Sequence, residues 1–234
     1  MSGINKLSQF SSMEYWSKTK VLLALRCIHA YRLYRSGVRG RKSVGMEYGK
    51  VVHSYVERVS KGELCYKDVP IRYRKPLFNY AKFLSENELS FPNFVEYEIG
   101  RDNSVDIGGR SFIGKIDAVW VRGSSGVLVD YKTGYRGKLL EDFEFELQLY
   151  SYMFKEVTGI NIVRYGVVFL SSGVWDFKVN RGDYSVMYSY LEKLDSVMGS
   201  SGDVEYSDRC LDCVFRDVCN ISLRHRYDIL SKII

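Results

Sequence analysis

A carboxylate and an ammonium stand two residues apart at the end of an aliphatic run, in the segment VLVDYKTG at residues 127–134. Alternate residues of a β-strand point to the same face, so Asp130 and Lys132 share one face and Tyr131 points to the other. Asp117 lies thirteen residues before Asp130, in the run RSFIGKIDAVWV, and a Gly/Ser turn separates the two. If these runs pair as a hairpin, both carboxylates reach the same edge of a sheet.

Paired carboxylates of this kind suit Mg²⁺ or Mn²⁺, which prefer oxygen ligands and accept phosphate oxygens as further ligands. A lysine beside them can orient or deprotonate an attacking water and offset charge on phosphorus, as phosphodiester hydrolysis requires. The alternative is that Asp130 and Lys132 form an ordinary surface ion pair. Three further residues favour a metal site over a surface ion pair. They are His53 in an upstream predicted helix and Gln148 and Tyr152 in a later one.

Three of the five cysteines form a C-x₂-C-x₅-C cluster near the C-terminal end, at Cys210, Cys213 and Cys219. Cys27 is the plausible fourth partner, and Cys65 lies outside the pattern as an ordinary thiol. In a reducing compartment such clustering indicates metal binding more than disulfides. Thiolates at this spacing suit either tetrahedral Zn²⁺ or an iron–sulfur cluster, and spacing alone leaves both open.

The elements that must position these residues follow from hydrophobic periodicity and turn signals. Three helices come first, then an antiparallel meander of three strands, a further helix, one or two strands and a last helix. The predicted helices cover 17–34 with Cys27 inside, 44–60, 71–86 with an interruption at Pro76, 141–158 and 184–198, and the strands cover 93–100, 110–121, 126–134, 165–172 and 172–180. This order predicts an α/β fold with a mixed sheet flanked by helices, followed by a linker at GSSGD, residues 199–203.

Composition fits one globular domain of 234 residues that is 46% hydrophobic. A net charge of +6 together with 19 Tyr and 12 Phe suits phosphate contacts combined with aromatic stacking. The sequence has no apolar run of about 20 residues and no secretory pattern at its start. We therefore expect a soluble, cytoplasmic protein that does not contact a membrane.

Four of these motifs, taken in order, resemble the RecB-like branch of the PD-(D/E)XK nuclease superfamily. That family has a helical His, a GxxD strand, a DxKT strand and a QxxxY helix, which stand here as GKVVH, GKID, DYKT and QLYSY. The resemblance implies a restriction-endonuclease-like fold with a mixed central sheet. Its implied metal ligands are His53, Asp117, Asp130 and the carbonyl of Tyr131. It also implies Lys132 as the catalytic lysine, and Gln148 and Tyr152 as residues that face the site and position the lysine and the nucleic acid.

Two further acidic residues, Glu96 and Glu98, lie on one face of the preceding predicted strand. They suit either the same site or a solvated strand face.

The cysteines extend the resemblance to the CRISPR-associated Cas-four nucleases and the AddB-type nuclease domains, which have one cysteine before the nuclease core and three after it. It implies a [4Fe–4S] cluster held by Cys27, Cys210, Cys213 and Cys219, in a lobe formed by both ends of the chain. Ile28 stands where a Pro commonly follows the first cysteine. The implied organisation is one domain over 1–234, with an N-terminal helical segment over 17–43, a nuclease core with a helical insertion over 44–198, and a cysteine-rich segment with a tail helix over 203–234.

The activity implied is a Mg²⁺- or Mn²⁺-dependent DNA exonuclease acting on single strands or DNA ends. CRISPR spacer acquisition or DNA recombination and repair is the implied setting, with CRISPR integration proteins or a helicase as partners. The first alternative is a catalytically inactive DNA-binding or assembly module that guides an integrase or helicase. The second is a zinc-stabilised nucleic-acid-binding protein. Basic residues that could follow a DNA backbone, or form a solvated face, are Arg32, Arg35, Arg39, Arg41 and Lys42.

Overall fold

A computed structural model describes residues 14–134, 140–200 and 204–224 of the chain. Within these ranges the helices are α1 (Lys18–Arg26), α2 (Ile28–Arg35), α3 (Val44–Ser60), α4 (Ile71–Glu86), α5 (Glu144–Thr158) and α6 (Ser185–Gly199). The strands are β1 (Phe94–Ile99), β2 (Val105–Ile107), β3 (Arg110–Phe112), β4 (Gly114–Arg122), β5 (Ser125–Lys132), β6 (Asn161–Phe169) and β7 (Val174–Val179).

Five of the strands form one mixed sheet in the order β1-β4-β5-β6-β7. The first three pair antiparallel as the predicted meander, β5 and β6 pair parallel, and β7 returns antiparallel to β6. A parallel pair requires a crossover, and α5 supplies it. Strands β2 and β3 form a separate small hairpin inserted between β1 and β4. The predicted α/β fold with a mixed sheet flanked by helices is confirmed.

The sheet buries side chains on both of its faces, which gives two hydrophobic clusters. Alternation along β5 shows the division: Leu128 packs in the cluster formed with α1, α5 and α6, whereas Val129 and Tyr131 pack in the cluster formed with α3 and α4. Asp130 therefore belongs to the side of α1 and α5, and Tyr131 to the side of α3.

Two predicted helices, 44–60 and 71–86, have the observed bounds of α3 and α4. The expected interruption at Pro76 is wrong, because α4 continues through this residue. A proline inside a helix removes one backbone hydrogen bond. The loss is tolerated here because Pro76 is buried and the same face packs Leu77, Tyr80 and Phe83 into the core.

The single helix predicted over 17–34 is also wrong, because the chain breaks at Cys27. Cys27 has extended backbone angles (φ −165°, ψ 112°), caps the end of α1 and begins α2. The break turns the chain so that Val21 of α1 and Tyr31 of α2 both enter the same core, where Tyr31 stacks on Trp16. As a result, Cys27 lies at a helix junction rather than on a helical face.

The chain's C-terminal part is described as far as residue 224. Helix α6 ends at Gly199, where the linker was predicted, but residues 201–203 lie outside the described ranges. Residues 220–224 are helical, and the remainder of the predicted tail helix, 225–234, is likewise outside. Among the described residues, no helix is both long enough and apolar enough to cross a membrane.

Candidate functional site

The hairpin β4–β5 brings the two predicted carboxylates together. Ala118 pairs with Val129, so Asp117 and Asp130 are neighbours across the two strands where the regular pairing ends. Asp117 Oδ2 accepts a hydrogen bond of 2.7 Å from the backbone N–H of Tyr131. The prediction that both carboxylates share one edge of the sheet is confirmed.

Asp117 also belongs to a cluster of three ligand-type side chains with His53 of α3 and Glu96 of β1. One ligand atom from each lies within 4.8 Å of the other two. His53 Nδ1 is 3.5 Å from both Asp117 Oδ1 and Glu96 Oε1. His53 Nε2 donates to the carbonyl oxygen of Tyr131 at 3.0 Å. Helix α3 and the three strands β1, β4 and β5 therefore converge on one site.

Glu96 reaches this cluster through an unusual backbone conformation. Its φ is +51°, in the left-handed region, and it is unpaired between two residues of β1 that keep their register with β4. A left-handed conformation costs a non-glycine residue about 1–2 kcal/mol. Glu98 instead lies opposite Lys115 in the regular ladder and is exposed. Of the two glutamates that sequence left open, the structure brings only Glu96 to the site.

The charges of this cluster are strongly coupled. Burial lowers the pKa of His53, but the carboxylates of Asp117 and Glu96 outweigh burial and raise it to about 10. Burial and the nearby charge of Asp130 raise the pKa of Asp117. A cation is thus favoured at this position, and a metal ion that bound His53 would release its proton.

Asp130 belongs to a second, adjoining group of four charged side chains. Lys132 Nζ lies 2.7 Å from Asp130 Oδ2 and 2.7 Å from Glu146 Oε1. Lys18 Nζ lies 3.3 Å from Asp130 Oδ1 and 2.5 Å from Glu146 Oε2. These two lysines and two carboxylates close a ring, which we call the ion quartet. Both carboxylates are buried, at 3% exposure for Asp130 and 6% for Glu146.

The quartet keeps its members in their charged forms. Burial raises the pKa of Asp130, but Lys132 and Lys18 outweigh burial and lower it to about 2. Burial lowers the pKa of Lys132, and the Asp130 carboxylate more than offsets this, so the pKa is raised. Asp130 is therefore a carboxylate and Lys132 an ammonium at neutral pH.

Sequence reasoning missed Lys18 and Glu146, and it misplaced Gln148 and Tyr152. Gln148 turns away from the carboxylates: its Nε2 donates to Glu144 at 3.3 Å and its Oε1 accepts from the backbone N–H of Met187 at 3.0 Å. Tyr152 packs edge-on against Tyr184, the residue that precedes α6. The prediction that Gln148 and Tyr152 face the site is wrong.

The helical repeat explains this difference. Two residues along an α-helix correspond to a rotation of about 200°, so Glu146 and Tyr150 face the site while Gln148 and Tyr152 face the opposite side. The Tyr150 ring lies 5.0 Å from Lys18 Nζ and packs against Gly114, where an added Cβ would come within 2.7 Å of it. The sequence signal available for Glu146, shared with Glu144, was a carboxylate placed between two apolar residues.

Both groups open into a cleft of about 1150 Å³. One wall is α3, which contributes Gly45, Gly49 and Ser54 beside His53, and Phe143 lies 4.9 Å from Lys132 Nζ. The five basic residues considered as DNA contacts are not among the described residues that line this cleft. Three of them have acidic partners, namely Arg35 with Glu14, Arg41 with Asp217 and Lys42 with Glu47.

The four predicted cluster cysteines lie around one further cavity. It has a volume of about 890 Å³ and its lining includes Cys27, Cys210, Cys213 and Cys219. All are free thiols, and Cys65 is exposed elsewhere. Two hydrogen bonds connect the N-terminal helical segment to the cysteine-rich segment. The backbone N–H of Arg41 donates to the carbonyl of Val214 (2.7 Å), and the Arg26 side chain donates to the carbonyl of Arg209 (3.1 Å).

A tetrahedral zinc site would require these sulfur atoms to lie close together. Tetrahedral zinc with Zn–S bonds of about 2.3 Å holds its sulfurs about 3.8 Å apart. Across the described residues, the His53, Glu96 and Asp117 cluster is the only set of three or more such side chains with all ligand atoms within 4.8 Å. No three of the described cysteines form such a set, and thiolate ligands suit zinc and an iron–sulfur cluster alike.

Comparisons with known proteins give information about the fold alone. No family model matches this chain, and no curated protein is similar to it. The chain is similar to a solved structure described as the crystal structure of SSO0001, with 16% sequence identity and a TM-score of 0.52. The similarity covers 92% of this chain and 91% of that one. The two chains thus share an α/β fold over nearly their whole length.

Proposed function

We propose that this protein is a metal-dependent DNA nuclease of the RecB-like PD-(D/E)XK class that carries a [4Fe–4S] cluster. The observation that carries the proposal is the meeting of Asp117, Asp130 and Lys132 on adjacent strands with His53 and the Tyr131 carbonyl, in one open cleft. These are the residue types that phosphodiester hydrolysis requires. The remote similarity in fold is compatible with this class.

The donor atoms fit a Mg²⁺ or Mn²⁺ ion. Neighbouring ligands of an octahedral ion with bonds of about 2.1 Å lie about 3.0 Å apart, and His53 Nδ1 lies 3.5 Å from both Asp117 Oδ1 and Glu96 Oε1. Asp130 and the Tyr131 carbonyl, which line the same cleft, are the further ligands that the sequence resemblance implies. When bound, the ion would activate a coordinated water and neutralise charge on the phosphate. Imidazole among the oxygen donors favours Mn²⁺ over Mg²⁺.

The protein's own groups have defined tasks in this proposal. The Lys132 ammonium, held by Asp130 and Glu146, faces the cleft and stabilises negative charge that develops on the phosphate oxygens. Its raised pKa favours this electrostatic role over deprotonation of water. The backbone N–H of Tyr131 fixes one oxygen of Asp117 and thereby orients the carboxylate.

The cysteine cavity supports the second part of the proposal. Four thiols from the N-terminal helices and the C-terminal segment line one cavity, and one cysteine before the nuclease core with three after it is the pattern for which the resemblance implies a [4Fe–4S] cluster. A [4Fe–4S] cluster there would fasten the C-terminal segment to the α1–α2 junction. We propose single-stranded DNA or DNA ends as the substrate and the cytoplasm as the location. CRISPR spacer acquisition or recombination and repair, with an integrase or helicase partner, is the proposed setting.

Metal dependence tests the proposed function. Protein purified without oxygen should cleave end-labelled single-stranded DNA with Mn²⁺ or Mg²⁺ and should lose all cleavage in EDTA, since the site needs a cation beside Asp117. Activity should return when Mn²⁺ is added in excess. Cleavage that persists in EDTA would contradict the metal site. DNA binding without cleavage under any metal condition would favour the inactive assembly module instead.

A further inference from the structure

We propose that Lys18 is a positioning residue of this site, and that it makes the site depend on helix α1. This inference rests on the proposed nuclease function. Lys18 is the one member of the ion quartet that comes from the N-terminal segment, since Asp130 and Lys132 belong to β5 and Glu146 to α5. It lies outside the four nuclease motifs GKVVH, GKID, DYKT and QLYSY.

The geometry shows what Lys18 does for its neighbours. Each carboxylate of the quartet gives one oxygen to Lys18 and the other to Lys132. Each oxygen of both acids therefore lies within ion-pair distance of an ammonium, and rotating either acid would break such a contact. Lys132 is held between the two acids in one position, with its ammonium facing the cleft. Lys18 thus fixes Lys132 indirectly, through the carboxylates they share.

The charge balance of the ion quartet also requires the Lys18 ammonium. The quartet holds two positive and two negative charges, and its carboxylates are almost fully buried. Without Lys18, one lysine would face two buried carboxylates and leave a net negative charge beside the path of a phosphate. Removing one partner from a buried ionic group destabilises the fold, because it leaves a charge without a partner in a low-dielectric environment.

Helix α1 connects this charge to the cysteine cavity. Lys18 is the first residue of α1, and Cys27 caps its far end about 14 Å away, as nine residues at 1.5 Å each require. Lys18 lines both the cleft and the cysteine cavity. Near Cys27, Arg26 donates to the carbonyl of Arg209 at 3.1 Å. Helix α1 therefore joins the ion quartet to the cysteine cavity.

Three variants test this role. Lys18→Met removes the charge and keeps the length, Lys18→Arg keeps the charge, and Lys155→Met removes an exposed lysine from the same helix as Glu146. We expect Lys18→Met to lower kcat on single-stranded DNA by about 10²-fold with little change in KM. The kcat of Lys18→Arg should stay within about tenfold of the wild-type value. The kcat of Lys155→Met should equal the wild-type value. Equal kcat for Lys18→Met and Lys155→Met would overturn the proposal.

A double variant tests charge balance directly. Lys18→Met combined with Glu146→Gln restores a neutral group, so it should be more active and more thermally stable than Lys18→Met alone. A double variant no better than Lys18→Met in either respect would overturn the proposal. If Lys18→Met alone fails to fold, the double variant and Lys18→Arg carry the test, because both must fold and cleave DNA.

A readout independent of cleavage separates this inference from the proposed function. Removing the Lys18 ammonium frees an oxygen of Asp130 and lowers the positive charge near the metal site, so Mn²⁺ should bind Lys18→Met about tenfold more tightly than wild type. Electron paramagnetic resonance of free Mn²⁺ measures this in the intact protein. Unchanged Mn²⁺ affinity would overturn the role of Lys18 even if the wild type cleaves. A wild type that never cleaves DNA would instead remove the proposed function.

Discussion

Replacing Lys132 with methionine is expected to lower the rate of DNA cleavage by about 10²–10⁴-fold, the range for removing a group that takes part in charge or proton transfer. Lys132 Nζ contacts both Asp130 and Glu146 at 2.7 Å and faces the cleft. Methionine keeps the aliphatic stem beside Phe143 but removes the ammonium. Single-turnover cleavage of end-labelled DNA measures the effect on the chemical step.

Lys178 provides the matched control for this variant. Its ammonium contacts the buried carboxylate of Glu144 at 2.5 Å, but it lies in a separate pocket on the Gln148 side of α5. Lys178→Met therefore breaks a comparable ion pair outside the proposed site. We expect it to cost some stability and to leave the cleavage rate within a fewfold of wild type. Equal rates for Lys132→Met and wild type would contradict the assignment of Lys132.

Loss of one cluster cysteine is expected to have the second large effect. Cys213→Ser should yield colourless protein without stoichiometric iron and sulfide. Its stability should fall by about 2–5 kcal/mol, the range for losing a native covalent cross-link, which corresponds to a Tm lower by roughly 4–20 °C at this chain length. The reason is that the cluster would join the C-terminal segment to the α1–α2 junction. Iron and sulfide analysis with thermal unfolding checks this.

Cys65→Ser is the internal control, because Cys65 is exposed and lies outside the cysteine cavity. It should keep the brown colour, about four iron and four sulfide per chain, and the wild-type Tm. Protein that contains stoichiometric zinc and no iron when purified without oxygen would contradict the cluster. That result would leave the nuclease proposal standing, because the cleft and the cysteine cavity hold different residues.

Sequence predicted the framework of the site well, and local patterns explain why. Helices 44–60 and 71–86 have clear apolar stripes with matching termini, and a Gly/Ser turn fixed the β4–β5 hairpin. The hairpin then determines which residues are opposite each other, so the approach of Asp117 to Asp130 followed from strand alternation alone.

The parts that sequence did not predict depend on tertiary packing. Lys18 contacts the carboxylate of Asp130, 112 positions away, and no local sequence pattern predicts such a pair. Residues 144–151 of α5 are all buried, so periodicity could not tell which side of this helix faces the carboxylates. The position of Glu96 depends on a left-handed backbone conformation that alternation does not anticipate. The break at Cys27 follows from two helices packing into one core.

The central claim is that Asp117 holds a catalytic metal ion for DNA hydrolysis. The most direct measurement compares wild type with Asp117→Asn in Mn²⁺-supported cleavage of end-labelled single-stranded DNA, with thermal unfolding of both. Asparagine keeps the size of the side chain and an oxygen for the Tyr131 N–H. We predict cleavage by wild type and a loss of at least about 10²-fold in a folded Asp117→Asn variant. Cleavage by Asp117→Asn at the wild-type rate would contradict the account.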